Sequence, residues 1–115
     1  MFKEFNDRKF QFWHYRVSHG ELLVRSPKGI NESKNIDVIF QGVEYVELPR
    51  FLPKMVVGKS NNTDLHYISS KLDKSIDLSK VFVLLSEQKR FYVVASIMKI
   101  DENEFDMFEL PFTEA

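Results

Sequence analysis

The chain has 115 residues, no cysteine, and sixteen Lys and Arg against seventeen Asp and Glu, so its net charge is −1. That length suits a single β-rich domain over 1–115 with a core of its own, while the missing thiols exclude disulfides and thiolate metal sites and favour a cytoplasmic location. A near-neutral balance argues against general nucleic-acid binding, which needs a basic field, and no apolar run approaches the roughly 20 residues of a membrane-spanning helix.

The start, MFKEFNDRKF, is too charged for a signal peptide, and the sequons at Asn31 and Asn61 gain no meaning without one. Residues 1–8 read as an irregular arm or one helical turn pinned by Phe2 and Phe5. From Lys9 apolar and polar residues alternate, giving a strand with Phe10, Phe12, His14 and Arg16 on one face and Gln11, Trp13, Tyr15 and Val17 on the other. Ser18-His19-Gly20 turns the chain, and Glu21 to Ser26 returns as the partner strand until Pro27 and Gly29 end it. Residues 30–35 form a polar loop. Ile36 to Phe40 and Val43 to Leu48 read as a second hairpin around Gln41-Gly42, stopped by Pro49. Residues 49–63 are expected to be the longest loop, with Met55-Val56-Val57 docked on the body.

Leu65 to Ser69 reads as a short strand. Ser70-Lys71-Leu72-Asp73 fits a capping box, and Leu72 and Ile76 fall one turn apart, so a short helix is expected near 70–78. Lys80–Ile100, KVFVLLSEQKRFYVVASIMKI, is the most apolar stretch. Its β-branched and aromatic arms predict an antiparallel hairpin around Ser86 to Arg90. Val81, Val83 and Leu85 point one way, Phe82 and Leu84 the other. In the second arm Phe91, Val93, Ala95 and Ile97 share one face, and Tyr92, Val94, Met98 and Ile100 the other. Both faces therefore need cover. The second arm is long, and is expected to bend near Ala95-Ser96 or to leave one end exposed for a partner. Asp101-Glu102-Asn103 reads as a turn, Phe105 to Leu110 as a last strand, and the end of the chain as a frayed tail.

About eight strands joined mostly by short turns predict an all-β or β-rich α+β fold: an antiparallel sandwich, roll or small barrel.

Few residues suggest chemistry. Aromatics interleaved over 10–16 are the kind of surface on which single-stranded nucleic acid stacks. With only Arg8, Lys9, Arg16 and Arg25 nearby, core packing is the stronger expectation. His14 and His19 flank a turn and, with Glu21, supply zinc-type donor atoms, but in a spacing that fits no metal motif. Asp64 and His66 alternate on the expected strand, as an Asp–His general-base pair would, with no nucleophile beside them. Glu44 and Glu47 fall on opposite faces, and the acidic run 101–104 lacks the glycine and spacing of an EF-hand. Four scattered glycines make no phosphate-cradling loop. No catalytic residue, metal ligand or cofactor is assigned.

The charge is unevenly spread. Residues 1–60 carry ten Lys and Arg against seven acids, residues 61–115 six against ten, and the last fifteen residues hold six acids and no base. The expected function is a noncatalytic protein-interaction or structural domain, a homodimer or the binder of a protein partner. Its possible contact surface is Trp13, Tyr15, Tyr92, Val94 and Met98, because the 80–100 hairpin looks too apolar on both faces for its own chain to cover. The alternative is a small β-barrel or roll enclosing an apolar small molecule. An enzyme using His14 or His66 is the third reading.

Overall fold

The computed structural model describes residues 3–4 and 7–112, so Phe2, Phe5 and the last three residues of the tail lie outside the described residues. In chain order the elements are β1 (Lys3–Glu4), β2 (Lys9–Arg16), β3 (Glu21–Ser26), β4 (Asn35–Gln41), β5 (Tyr45–Glu47), β6 (Phe51–Pro53), β7 (Val56–Gly58), α1 (Asn62–Leu72), β8 (Val81–Ser86), β9 (Lys89–Val94) and β10 (Ile97–Asn103). The strands make two antiparallel sheets, ordered β1-β7-β8-β9-β5 and β10-β4-β3-β2-β6. The antiparallel, strand-rich class is as expected, and the sheets do not close into a barrel.

Two hairpins form where the alternation predicts them. A short 3-10 turn over Val17–His19, closed by Gly20 at φ 56°, joins β2 to β3. Glu87 and Gln88, at φ 50° and 66°, join β8 to β9. Positive φ at both central residues is the type I′ geometry that matches strand twist, reached here without an Asn-Gly pair.

The second expected hairpin does not form. After β4 the chain leaves its sheet, and β5 pairs with β9 in the other one. The expected long loop 49–63 contains β6, paired with β2, and β7, paired with β8, with Met55 fully buried between them. The strand expected at 65–69 is helical, and the helix lies at Asn62–Leu72 rather than 70–78. Its capping box is Asn61 with Asp64: the Asn61 side chain accepts from the Asp64 N–H, and Asp64 accepts from the Asn61 N–H, both at 2.9 Å. Leu65, Ile68 and Leu72 then fall on one helical face. Asp73, at φ 53°, ends the helix in the left-handed region.

The bend near Ala95-Ser96 is real, and it reverses the expected faces beyond it. β10 crosses to the second sheet, where Met98 and Ile100 pack with Phe91 and Val93 between the sheets while Ile97 turns outward. Residues 101–103 continue this strand instead of turning, and 105–110 form no strand.

A bulge between Phe12 and His14 does the same to β2. Phe10 and Phe12 face the core, but His14 pairs with Leu23 on the outer face, so His14 and Arg16 do not share the Phe12 side. Two residues opposing one is how a bulge resets the alternation.

The hairpin of β8 and β9 is sheathed within one chain. Leu84, Val93 and Ala95, with Phe82 and Phe91, pack against Phe10, Leu22, Val24, Val38, Phe40 and Leu52 of the second sheet. Val81, Val83, Tyr92 and Val94 lie beneath α1 against Ile68, Leu65 and Leu72. A fully buried Val or Leu contributes roughly 1.5–3 kcal/mol. Covering both faces therefore removes the uncovered hairpin as a reason for association.

Candidate functional site

The second sheet's outer face carries the most organised polar structure. Arg25 on β3 stands opposite Asp37 on β4, and both residues are 0% exposed. Arg25 Nε donates to Asp37 Oδ1 at 2.7 Å and Nη2 to Oδ2 at 3.0 Å, a fork-on-fork pair. Two charges out of water are costly unless their remaining hydrogen-bonding capacity is used. Here it is: Arg25 also donates to the carbonyls of Asp106 at 3.4 Å and Glu109 at 3.1 Å, and Asp37 accepts from Asn103 Nδ2 at 2.8 Å. The guanidinium also lies 5.5 Å from the Trp13 ring centroid.

Those carbonyls belong to a strap, residues 104–112, that follows β10 and folds back over this face. Asn35 starts it, donating from Nδ2 to Asn103 Oδ1 and to the Phe105 carbonyl, both at 2.8 Å. Asp106 and Glu109 then brace each other. The Asp106 N–H donates to Glu109 Oε1 at 3.0 Å, and the N–H groups of Phe108 and Glu109 donate to Asp106 Oδ1 at 2.9 and 3.1 Å. Arg25 grips the carbonyls at both ends of that turn. Met107 and Phe108 stand at its tip, 64% and 87% exposed. Beside the turn a cleft of about 430 Å³ is lined by Gln11, Trp13, Arg25, Phe105 and Met107 among others. At the strap's far end the Phe112 ring lies 6.0 Å from His14 and 5.9 Å from the Arg16 guanidinium.

The five expected contact residues do not converge. Tyr92 and Val94 are buried beneath α1, and Met98 packs between the sheets. Trp13 is half-buried on the outer face, and Tyr15, 37% exposed, lies beyond the bulge opposite Leu22.

The histidines are dispersed as well. His66 is exposed on α1, where positions two apart point roughly 200° from each other, so it does not meet Asp64. Asp64 instead accepts from Arg90 Nε at 2.9 Å and from the Tyr92 hydroxyl at 2.8 Å. Burial would raise its carboxyl; the bonds from Arg90, the Asn61 N–H and Tyr92 outweigh that and lower it. His19 shares a cleft of about 340 Å³ with Glu21, but Arg16 stands between them, 3.3 Å from His19 Nδ1 and 3.4 Å from Glu21 Oε1. Among the described residues no group of three His, Asp or Glu is placed to hold a metal ion. On the helix side Glu47 Oε1 accepts from Tyr45 at 2.7 Å and Tyr67 at 2.9 Å, and Tyr45 is pushed up to about 12, first by that bond and then by burial.

Sequence reasoning missed the strap. Its one local signal was the Asp106 and Glu109 pair, three residues apart around Met107-Phe108. The chain matches no protein-family model, and no curated protein and no solved structure matches it.

Proposed function

We propose that the protein is a noncatalytic protein-interaction domain whose contact point is the Met107-Phe108 turn. One observation carries this reading: two adjacent, strongly exposed apolar side chains sit on a turn held by a fully buried ion pair. Single exposed apolar residues are ordinary on any surface. Two together on a braced turn are what an interface anchor needs, because little side-chain and backbone freedom remains to be lost on docking. The Trp13 cleft extends the apolar area beside them. Glu102, Glu104, Asp106 and Glu109 are exposed around the turn, so the fitting partner surface is an apolar pocket rimmed by Lys or Arg. The reading of an enclosed apolar ligand has less support, since Phe10, Leu22, Phe40 and Leu84 fill the space between the sheets.

A photoreactive side chain at position 108, activated in the native host, should cross-link one dominant protein. The purified partner should then bind the Phe108→Ser variant at least roughly tenfold more weakly than wild type. Equal affinity for the variant, or no cross-linked protein at all, overturns the reading.

A further inference from the structure

The geometry points to a homodimer in which β10 pairs antiparallel with β10 of a second copy about a two-fold axis at Ile100. It uses a different surface from the Met107-Phe108 turn and does not rest on that reading. Among the described residues the two sheets end in four edge strands. Three are short: β1 has two residues, and β5 and β6 three each. The fourth, β10, has seven residues in unbroken register with β4. An edge strand presents a row of unpaired backbone donors and acceptors, and proteins usually blunt it by shortness, bulges or proline. β10 has none of these.

Its protection is charge, and that charge is self-complementary. Lys99 and Asp101 are exposed and lie on the same face, two residues apart around Ile100. A two-fold axis at Ile100 sets Lys99 opposite Asp101 of the second copy, and Asp101 opposite its Lys99. Cross-strand pairs of opposite charge stabilise a ladder and like pairs oppose it. Ile100 meets its own counterpart on the inner face, and Ile97, 53% exposed, falls opposite Asn103. This register also uses all seven residues of the strand. Moving the axis by one residue sets Lys99 against Lys99 or Asp101 against Asp101. The dimer joins one five-stranded sheet of each copy into a single sheet of ten strands, and occupies the β10 edge of each copy.

Sedimentation of the full chain tests this directly. Wild type should sediment as a dimer at about 100 μM. Lys99→Glu and Asp101→Lys, each at an exposed position, should each weaken the dimer by roughly tenfold or more, because each turns both cross-strand pairs into like charges. Mixed in equal amounts, the two variants regain both complementary pairs and should form a heterodimer as tight as wild type. Unchanged circular dichroism separates these effects from misfolding. A monomeric wild type, single variants that dimerise as well as wild type, or a mixture that stays monomeric each overturns the inference. Loss of the dimer with partner binding at Phe108 intact, or the reverse, separates this surface from the turn.

Discussion

Gly42 stands against Ser96 at a corner where two crossovers between the sheets run side by side. A Cβ on Gly42 would come 2.7 Å from Ser96 Oγ and 3.1 Å from Ser96 Cβ, and the glycine sits at φ 66°. Around it the Ser96 N–H donates to the Gln41 carbonyl at 3.0 Å and the Glu44 N–H to the Val94 carbonyl at 2.7 Å. One crossover takes the chain from β4 to β5, the other from β9 to β10, so the corner ties the two sheets together.

Gly42→Ala should therefore destabilise the protein by about 2–5 kcal/mol, combining overpacking with left-handed backbone cost. Adding Ser96→Gly should recover the steric part but leave the backbone part, about 1–2 kcal/mol. Urea denaturation of the two variants measures both. A fully restored midpoint in the double variant would show that φ contributes nothing.

Arg25→Met removes the main partner of the Asp37 side chain in a fully buried place. A loss of about 3–5 kcal/mol is expected, with much of it regained in Arg25→Met/Asp37→Leu. The same variant releases the carbonyls of Asp106 and Glu109, so amide exchange across 104–112 should quicken first. Strap exchange that stays at wild-type rates would contradict the role given to Arg25.

Asp64 makes acid stability a test of the helix cap. Its folded-state value is lowered, so its contribution is present above the ordinary aspartate value of 3.8 and is lost as pH falls through the depressed value. Wild type should exceed Asp64→Asn in stability near neutrality, and the gap should close as pH drops below about 4. Asp77 is also lowered, by bonds from Ser79, but it is common to both proteins and cancels. A gap independent of pH would show that the carboxylate charge does not matter.

Tyr45 predicts the opposite limb. A raised folded value means its contribution is complete below 10 and is lost as pH rises from 10 toward about 12. Tyr92 is raised as well, first by burial and then by its bond to Asp64, so the check is the difference between two proteins: tyrosinate absorbance should lose its Tyr45 step near 12 in Glu47→Gln, that step moving down toward 10. A titration curve unchanged by that substitution would remove Glu47 as the cause.

Alternation along a strand depends only on adjacent residues, and where it governs, the sequence is legible. The β2–β3 and β8–β9 hairpins and the opposed faces of Val83 and Leu84 follow from it, while the break near Ala95-Ser96 follows from the length of the second arm. It fails wherever one residue shifts the register. The bulge at Trp13 and the crossing at Ser96 each turn later side chains to the other face, which is why Met98 lies apart from Tyr92 and Val94. Leu65 to Ser69 shows a related ambiguity: a short apolar run fits either period, and the Asn61–Asp64 box, which decides it, reads weakly beside the more familiar Ser70–Asp73 pattern.

Composition and local pattern alone determine an antiparallel, strand-rich chain without thiol chemistry, and where its two best hairpins lie. Tertiary structure decides which sheet each strand joins, what covers the central hairpin, and that the acidic end becomes a strap. The physical reason is distance along the chain. Arg25 holds the Asp106 and Glu109 carbonyls 81 and 84 residues away, and no periodicity within a strand length encodes a contact between a buried guanidinium and backbone carbonyls that far off.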